Sequence, residues 1–278
     1  MPSLGVCMIA TNAYLEKWYK VALDLENTNL VNFNKITIHL FTDKTSEANA
    51  WGKGHLKRVN LITHQIFSWG WPEATLLRYK FFSENKELFQ EDILMYLDSD
   101  MRIINDFSTK LNYDKWKSGI ALVVHPGFFR NKGFRGVLDY FSNPKLLPPL
   151  INRILTCSRG YGTWETNKIS SAFVPKHLRR KYFHGAVWFG YRKQFLNMCE
   201  QLSLNVNNDL AFKYIAVWHD ESHLNKYAAY NNVYSLGPEF SGVNKYRNLK
   251  NIEFLIITEE KRFGEGRAPT SFSAINAK

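Results

Sequence analysis

The first hundred residues alternate between two hydrophobic rhythms. Mostly apolar runs, "GVCMIAT" (5–11), "KITIHLFT" (35–42), "RVNLITHQ" (58–65) and "DILMYLDSDMRI" (92–103), read as strands. Between them lie "AYLEKWYKVALDLEN" (13–27) and "WPEATLLRYKFFSENKELF" (71–89), whose apolar positions recur as on one face of a helix. The second run is followed by a polar segment. This alternation predicts an α/β fold with a largely parallel sheet and helices on both faces. Ligands in such folds bind beyond the carboxyl ends of the strands, which puts Thr11, Asn12, Asp98 and Asp100 on one rim.

The second half is less regular. Strands are expected at "GIALVVHP" (119–126), "YFHGAVWFG" (182–190) and "FLIIT" (254–258), and helices at 193–205 and 208–230. A Gly/Pro/Asn-rich loop fills 127–149, and the end is polar. No repeat or low-complexity linker divides the chain, so a single domain is expected.

Composition narrows the field without naming a chemistry. A hydrophobic fraction of 45% and a charged fraction of 22% are those of a globular, soluble protein. Cys7, Cys157 and Cys199 share no metal-ligand spacing and read as reduced thiols. No basic leader precedes an apolar stretch, and no apolar run approaches the ~18 residues that cross a bilayer. We therefore expect a cytoplasmic protein without an integral membrane segment. The net charge of +11 is spread in short groups such as "HLRRK" (177–181), which suits a solvated surface, or cations meeting a nucleotide diphosphate, better than nucleic acid.

Two acidic patterns carry the chemistry. Asp98 and Asp100 follow the apolar run "ILMYL" one residue apart. Residues two apart in a strand point to one side, so both carboxylates can reach one hard cation such as Mn²⁺ or Mg²⁺, with substrate phosphates completing its shell. An ordinary acidic turn is the alternative. A phosphoryl-transfer aspartate motif is not matched, because Arg102 stands at its fifth position. Further on, "VWHDESHLNKY" (217–227) gathers His219, Asp220, Glu221 and His223. Read alone it allows a helix cap, a zinc pair on His219 and His223, or carboxylate catalysis.

Together "YLDSDM", "VVHPGFF", "YFHGAVWFG" and "WHDESHLNKY" resemble glycosyltransferase family 6, the family of the histo-blood-group A and B transferases and α1,3-galactosyltransferase. The resemblance runs from about residue 5 to residue 267. It implies a GT-A type fold, with residues 1–105 mainly nucleotide-binding, 106–257 mainly acceptor-binding and 258–278 a flexible tail. It implies a retaining, metal-dependent hexosyltransferase, moving galactose or N-acetylgalactosamine from a UDP-sugar to a carbohydrate hydroxyl in an α1,3-type linkage. A soluble member of bacterial or viral type would work in a bacterial cell or a virus-infected one.

The family pattern also implies roles. Ala10, Thr11 and Tyr14 would line the uridine, and Thr75, Arg78 and Lys80 the sugar and phosphates. Asp98, Ser99 and Asp100 would hold donor, with the metal on Asp98 and Asp100. His184, Gly185 and Ala186 would contact the donor sugar, the His/Ala pair favouring UDP-galactose over UDP-N-acetylgalactosamine. Lys261 and Arg267 would close over the diphosphate. His125 and Trp218 would face the acceptor, together with Glu221. Glu221 is the implied catalytic centre, ionised at neutral pH near a helix start, with Asp220 beside the donor sugar. Loop 127–165 and "SGV" (241–243) depart from the family, so the acceptor is not fixed. A zinc hydrolase using His219 and His223, or a non-catalytic sugar-binding protein, are the competing readings.

Overall fold

The computed structural model of the chain describes residues 1–68, 72–129, 161–242 and 252–259. Among the described residues, seven strands form the main sheet: β1 (Ser3–Ile9), β2 (Lys35–Thr42), β3 (Asn60–Gln65), β4 (Ile93–Leu97), β6 (Ile120–Val124), β7 (Phe183–Tyr191) and β8 (Tyr234–Leu236). Their order is β3-β2-β1-β4-β7-β6-β8. β1 pairs parallel with β2 and β4, β2 with β3, and β6 with β8. Only β7 runs against its neighbours β4 and β6. A small second sheet pairs β5 (Met101–Ile103) antiparallel with β9 (Ile256–Thr258).

The near-continuous apolar runs are explained by burial on both faces. Along β4, Ile93, Met95 and Leu97 enter one core while Leu94 and Tyr96 enter the other, following the two-residue period of a strand. The first core is covered by α1 (Tyr14–Asn27) through Leu15, Trp18, Val21, Ala22 and Leu25. The second is covered by α4 (Arg78–Glu84) and α5 (Arg192–Ala211), with Tyr79, Phe82, Phe195, Cys199 and Leu202 inside. Two helices complete the described set, α2 (Thr45–His55) against the edge strand β3 and α6 (His219–Tyr230) against β7, with the single-turn α3 (Glu73–Leu76) before α4.

Three predicted elements differ. The polar segment after β2 is helical, as α2. The single helix expected over 71–89 is broken at Leu77 and again after Glu84. The helix expected from 208 is the end of α5, and residues 212–218 separate it from α6, with Lys213 in the left-handed region at φ 55°. No helix among the described residues is long and apolar enough to cross a membrane.

Candidate active site

β4 stops at Leu97 and the chain turns at once, Met101 N–H donating to Asp98 O at 3.1 Å. Asp98, Ser99 and Asp100 therefore occupy a tight turn, not the extended strand in which residues two apart share a face. Ser99 and Asp100 are buried, whereas the Asp98 side chain is 31% exposed. Glu259 N–H donates to Asp100 O at 2.8 Å and ties the turn to the end of β9.

A buried arginine organises the cluster around that turn. Arg78 opens α4, its Nη2 lying 3.5 Å from Asp98 Oδ1 and its Nη1 3.2 Å from Asp220 Oδ2. Its guanidinium also stands 4.4 Å from the Tyr96 ring centroid, while the Tyr96 hydroxyl donates to Asp98. Burial works against the arginine's charge, but the carboxylates of Asp220 and Asp98 outweigh it and raise the pKa above its ordinary value. Tyr79 O–H donates to Asp220 O at 3.1 Å and holds the start of α6 against α4.

The other wall is an open strand edge. β4 pairs with β7 only as far as Val187, so residues 183–186 extend past it. Their backbone groups are satisfied by other parts of the chain. Asp98 N–H donates to Ala186 O at 3.0 Å, and Arg78 Nη1 to Gly185 O at 3.2 Å. Gly185 N–H donates to Glu221 Oε2 at 2.8 Å. A Cβ on Gly185 would lie 3.2 Å from Asp220 Oδ2 and 3.3 Å from Glu221 Cβ, so glycine permits α6 to approach this closely.

α6 begins at a strained corner, with His219 in the left-handed region at φ 45°. Trp218 N–H donates to Ser222 Oγ at 3.0 Å, and Asp220 and Glu221 occupy the first turn. That location favours ionised carboxylates, yet burial dominates. It raises Asp220 to about 6 against the opposing charge of Arg78. It raises Glu221 to about 8, against the Gly185 N–H and with help from the Asp220 charge. The expectation that Glu221 is ionised at neutral pH is thus corrected: here desolvation exceeds the helix-terminus effect.

The remaining predicted residues divide by position. Thr11 and Ala10 are buried at the end of β1, Ala10 within the first core, while Tyr14 is 42% exposed with Lys17 Nζ 4.9 Å from its ring centroid. Thr75 does not share a continuous helix with Arg78; its hydroxyl turns back to Pro72 O at 2.7 Å. Lys80 is half exposed and pairs with Glu84 at 3.8 Å along α4. Trp218 is 50% exposed. His184 Nδ1 lies 2.5 Å from Ser241 Oγ, and its ring meets that of His125 edge-on at 4.7 Å. Lys261 and Arg267 lie outside the described residues.

The zinc reading of His219 and His223 is not supported. His223 is 1% exposed and points to Asp209 Oδ2 at 3.6 Å in a separate polar pocket. Among the described residues, the group with ligand atoms close enough to hold a metal is His125, His184 and Glu221, within 4.8 Å of one another. His125 Nδ1, however, accepts from Gly127 N–H at 3.0 Å, which leaves the ring proton on Nε2. Ligation through Nε2 would require that bond to break. Two partners that sequence reasoning missed are Tyr96, two residues before Asp98, and Asn225, one helical turn after Glu221.

A mostly parallel sheet flanked by helices, with this acidic site at its strand ends, is a GT-A type fold, the fold of nucleotide-diphospho-sugar transferases. The profile of Glycosyltransferase family 6 matches residues 145–263. The chain is 23% identical over 242 residues to histo-blood group ABO system transferase 2 of Rattus norvegicus, covering 86% of this chain and 63% of the rat protein. The same identity holds for transferase 1 of that organism, 60% of which is covered. It is also 23% identical to the O-antigen biosynthesis glycosyltransferase WbnI of Escherichia coli, over 93% of this chain and 95% of the relative. The chain thus spans about three fifths of the length of the two rat relatives. The chain is thus similar over residues 145–263 to glycosyltransferase family 6 and, at 23% identity, to these transferases.

Proposed function

We propose that the protein is a retaining hexosyltransferase that moves galactose from UDP-galactose to a carbohydrate hydroxyl in an α1,3-type linkage. The observation that carries this reading is the meeting of Asp98, Arg78, Asp220 and Glu221 beyond the end of β4. Ligands of parallel α/β sheets bind at that place. The names of the ABO and O-antigen relatives point the same way, to glycosyl transfer onto carbohydrate.

Asp98 and Asp100 offer only hard oxygen donors, a set suited to Mn²⁺ or Mg²⁺ with phosphate oxygens completing the shell. The nitrogen-rich His125–His184–Glu221 group suits such ions less well. A cation held by the two aspartates would supply charge to stabilise the leaving diphosphate. Arg78 is fixed by the carboxylates of Asp98 and Asp220 and adds permanent positive charge beside Asp98. Glu221 faces the sugar from the α6 side. Its anionic form, which an incoming cationic ligand would favour over the acid protonated by burial, acts either as nucleophile or as electrostatic support for an oxocarbenium-like transition state. Asp220, fixed by Arg78, orients the sugar hydroxyls. His184 leaves less room for an acetamido group than a small residue would, while Ala186 leaves space for the ring, which favours galactose.

The test is direct. Protein with Mn²⁺, UDP-galactose and a mixture of galactose-terminated oligosaccharides should release UDP and yield an α-linked product. UDP-N-acetylgalactosamine should react more slowly, and chelator should stop both reactions. Binding of sugar nucleotide without any UDP release would point to a non-catalytic sugar-binding protein. Full turnover in chelator would remove the metal from the account.

A further inference from the structure

We propose that Asn225 is a positioning residue: its side chain replaces the strand missing beside Phe183 and thereby sets where Glu221 stands. The inference rests on the proposed role of Glu221 in transfer.

Asn225 is 1% exposed and makes three hydrogen bonds. Its Oδ1 accepts from Phe183 N–H at 2.7 Å, and its Nδ2 donates to Phe183 O and to Glu221 O, both at 2.9 Å. The pattern fixes the amide orientation, since a flipped side chain would set NH₂ against an N–H and oxygen against two carbonyls. Both backbone groups of Phe183 are thus paired as an adjacent strand would pair them. One helical turn away, the Glu221 carboxylate does the same for Gly185 N–H. A turn of helix rises ~5.4 Å and two strand residues span ~6.6 Å, so the two pins lie nearly side by side. A single pin would leave α6 free to rotate about it, whereas two pins fix both its rotation and its slide along β7. The first pin is the functional carboxylate itself, so the second decides where that carboxylate points.

Side chains of similar size separate this role from simple filling. Asp at 225 can accept from Phe183 N–H but sets a carboxylate against two carbonyl oxygens. Ser restores one donor, and Ala none. For Asn225→Asp and Asn225→Ala we expect kcat to fall about 30-fold, as for a small misplacement of a reacting group. The dissociation constant for UDP should stay within about threefold, because the Arg78–Asp98 end is untouched. Asn225→Ser should recover part of kcat. Ser108→Ala removes an equally buried hydrogen-bonding side chain remote from the site, where Ser108 donates to Asp106 and accepts from Asn32 N–H. It should lower Tm without a matching loss of kcat. Hydrogen exchange at the Gly185 amide should accelerate in Asn225→Ala and not in Ser108→Ala. The proposal is overturned if the two variants lose kcat in proportion to Tm alike, if the loss lies in UDP affinity, or if Gly185 exchange is unchanged. Should the unmodified protein transfer no sugar, the proposed function fails, while Gly185 exchange still decides the positioning claim.

Discussion

Two groups of buried charge in this molecule resolve the cost of burial in opposite ways. The first lies within the sheet, where His39 on β2 sits between Glu91 and His64. His39 Nε2 is 3.0 Å from Glu91 Oε2, and its Nδ1 is 3.2 Å from His64 Nε2. Burial would raise Glu91, but its hydrogen-bonded contact with His39 holds it down to about 2. The second lies beyond β4, where the described residues set one guanidinium against the carboxylates of Asp98, Asp220 and Glu221, and two of these acids are pushed up instead. The first group is closed and electrically satisfied, as a structural cluster should be. The second carries more acid than its arginine can balance, a state that a cationic ligand relieves.

The largest expected effect breaks the second group at its least satisfied member. Glu221→Gln keeps the shape and removes the ability to become an anion in the loaded site, so kcat should fall roughly 10²-fold with UDP affinity little changed. The same variant sharpens the electrostatic contrast through stability. Glu221 has a folded pKa of about 8, above its unfolded value, so the folded state binds the extra proton. Stability from this group is full below the unfolded pKa and declines as pH rises toward 8. Relative to the parent, Glu221→Gln should gain on the order of 3 °C in Tm between pH 5 and pH 8. A constant Tm difference across that range would mean that Glu221 is not desolvated.

The opposite outcome is expected in the closed cluster. His39→Leu leaves Glu91 buried without its main partner and should cost about 3 kcal/mol of stability. Because the parent Glu91 pKa is depressed, its contribution is present above the unfolded value and fades as pH falls toward 2. Urea unfolding at neutral pH checks the magnitude. Below the transition, kcat should match the parent, and a loss of kcat there would merge the two clusters into one functional unit.

How much of this was legible in the chain depends on what fixes each feature. The run "KITIHLFT" coincides with β2, because a strand buried along its length needs continuous apolar residues. α2 was not legible: its sequence TSEANAWGKGH buries only Ala48 and Gly52, too few for a stripe. The break at Leu77 was hidden by an apolar pattern that continues across it. In the site, the carboxylates announced themselves by their placement after an apolar run and in a dense acidic motif. Their partners did not. Tyr96 stands inside an apolar run and Asn225 inside a helical stretch, and their roles follow from β4 stopping at Leu97 while β7 continues to Phe183, a mismatch of strand lengths that no local pattern encodes.

The central claim, that the acidic excess at the strand end is a seat for a cation and a diphosphate together, is tested most directly by titrating UDP calorimetrically with and without Mn²⁺. The parent protein should bind UDP at least ~10-fold more tightly with Mn²⁺ present, since the cation neutralises both the aspartates and the diphosphate. Asp98→Asn and Asp100→Asn should keep the fold and lose that gain. Equal UDP affinity in Mn²⁺ and in chelator, or an undiminished gain in both variants, would contradict the account.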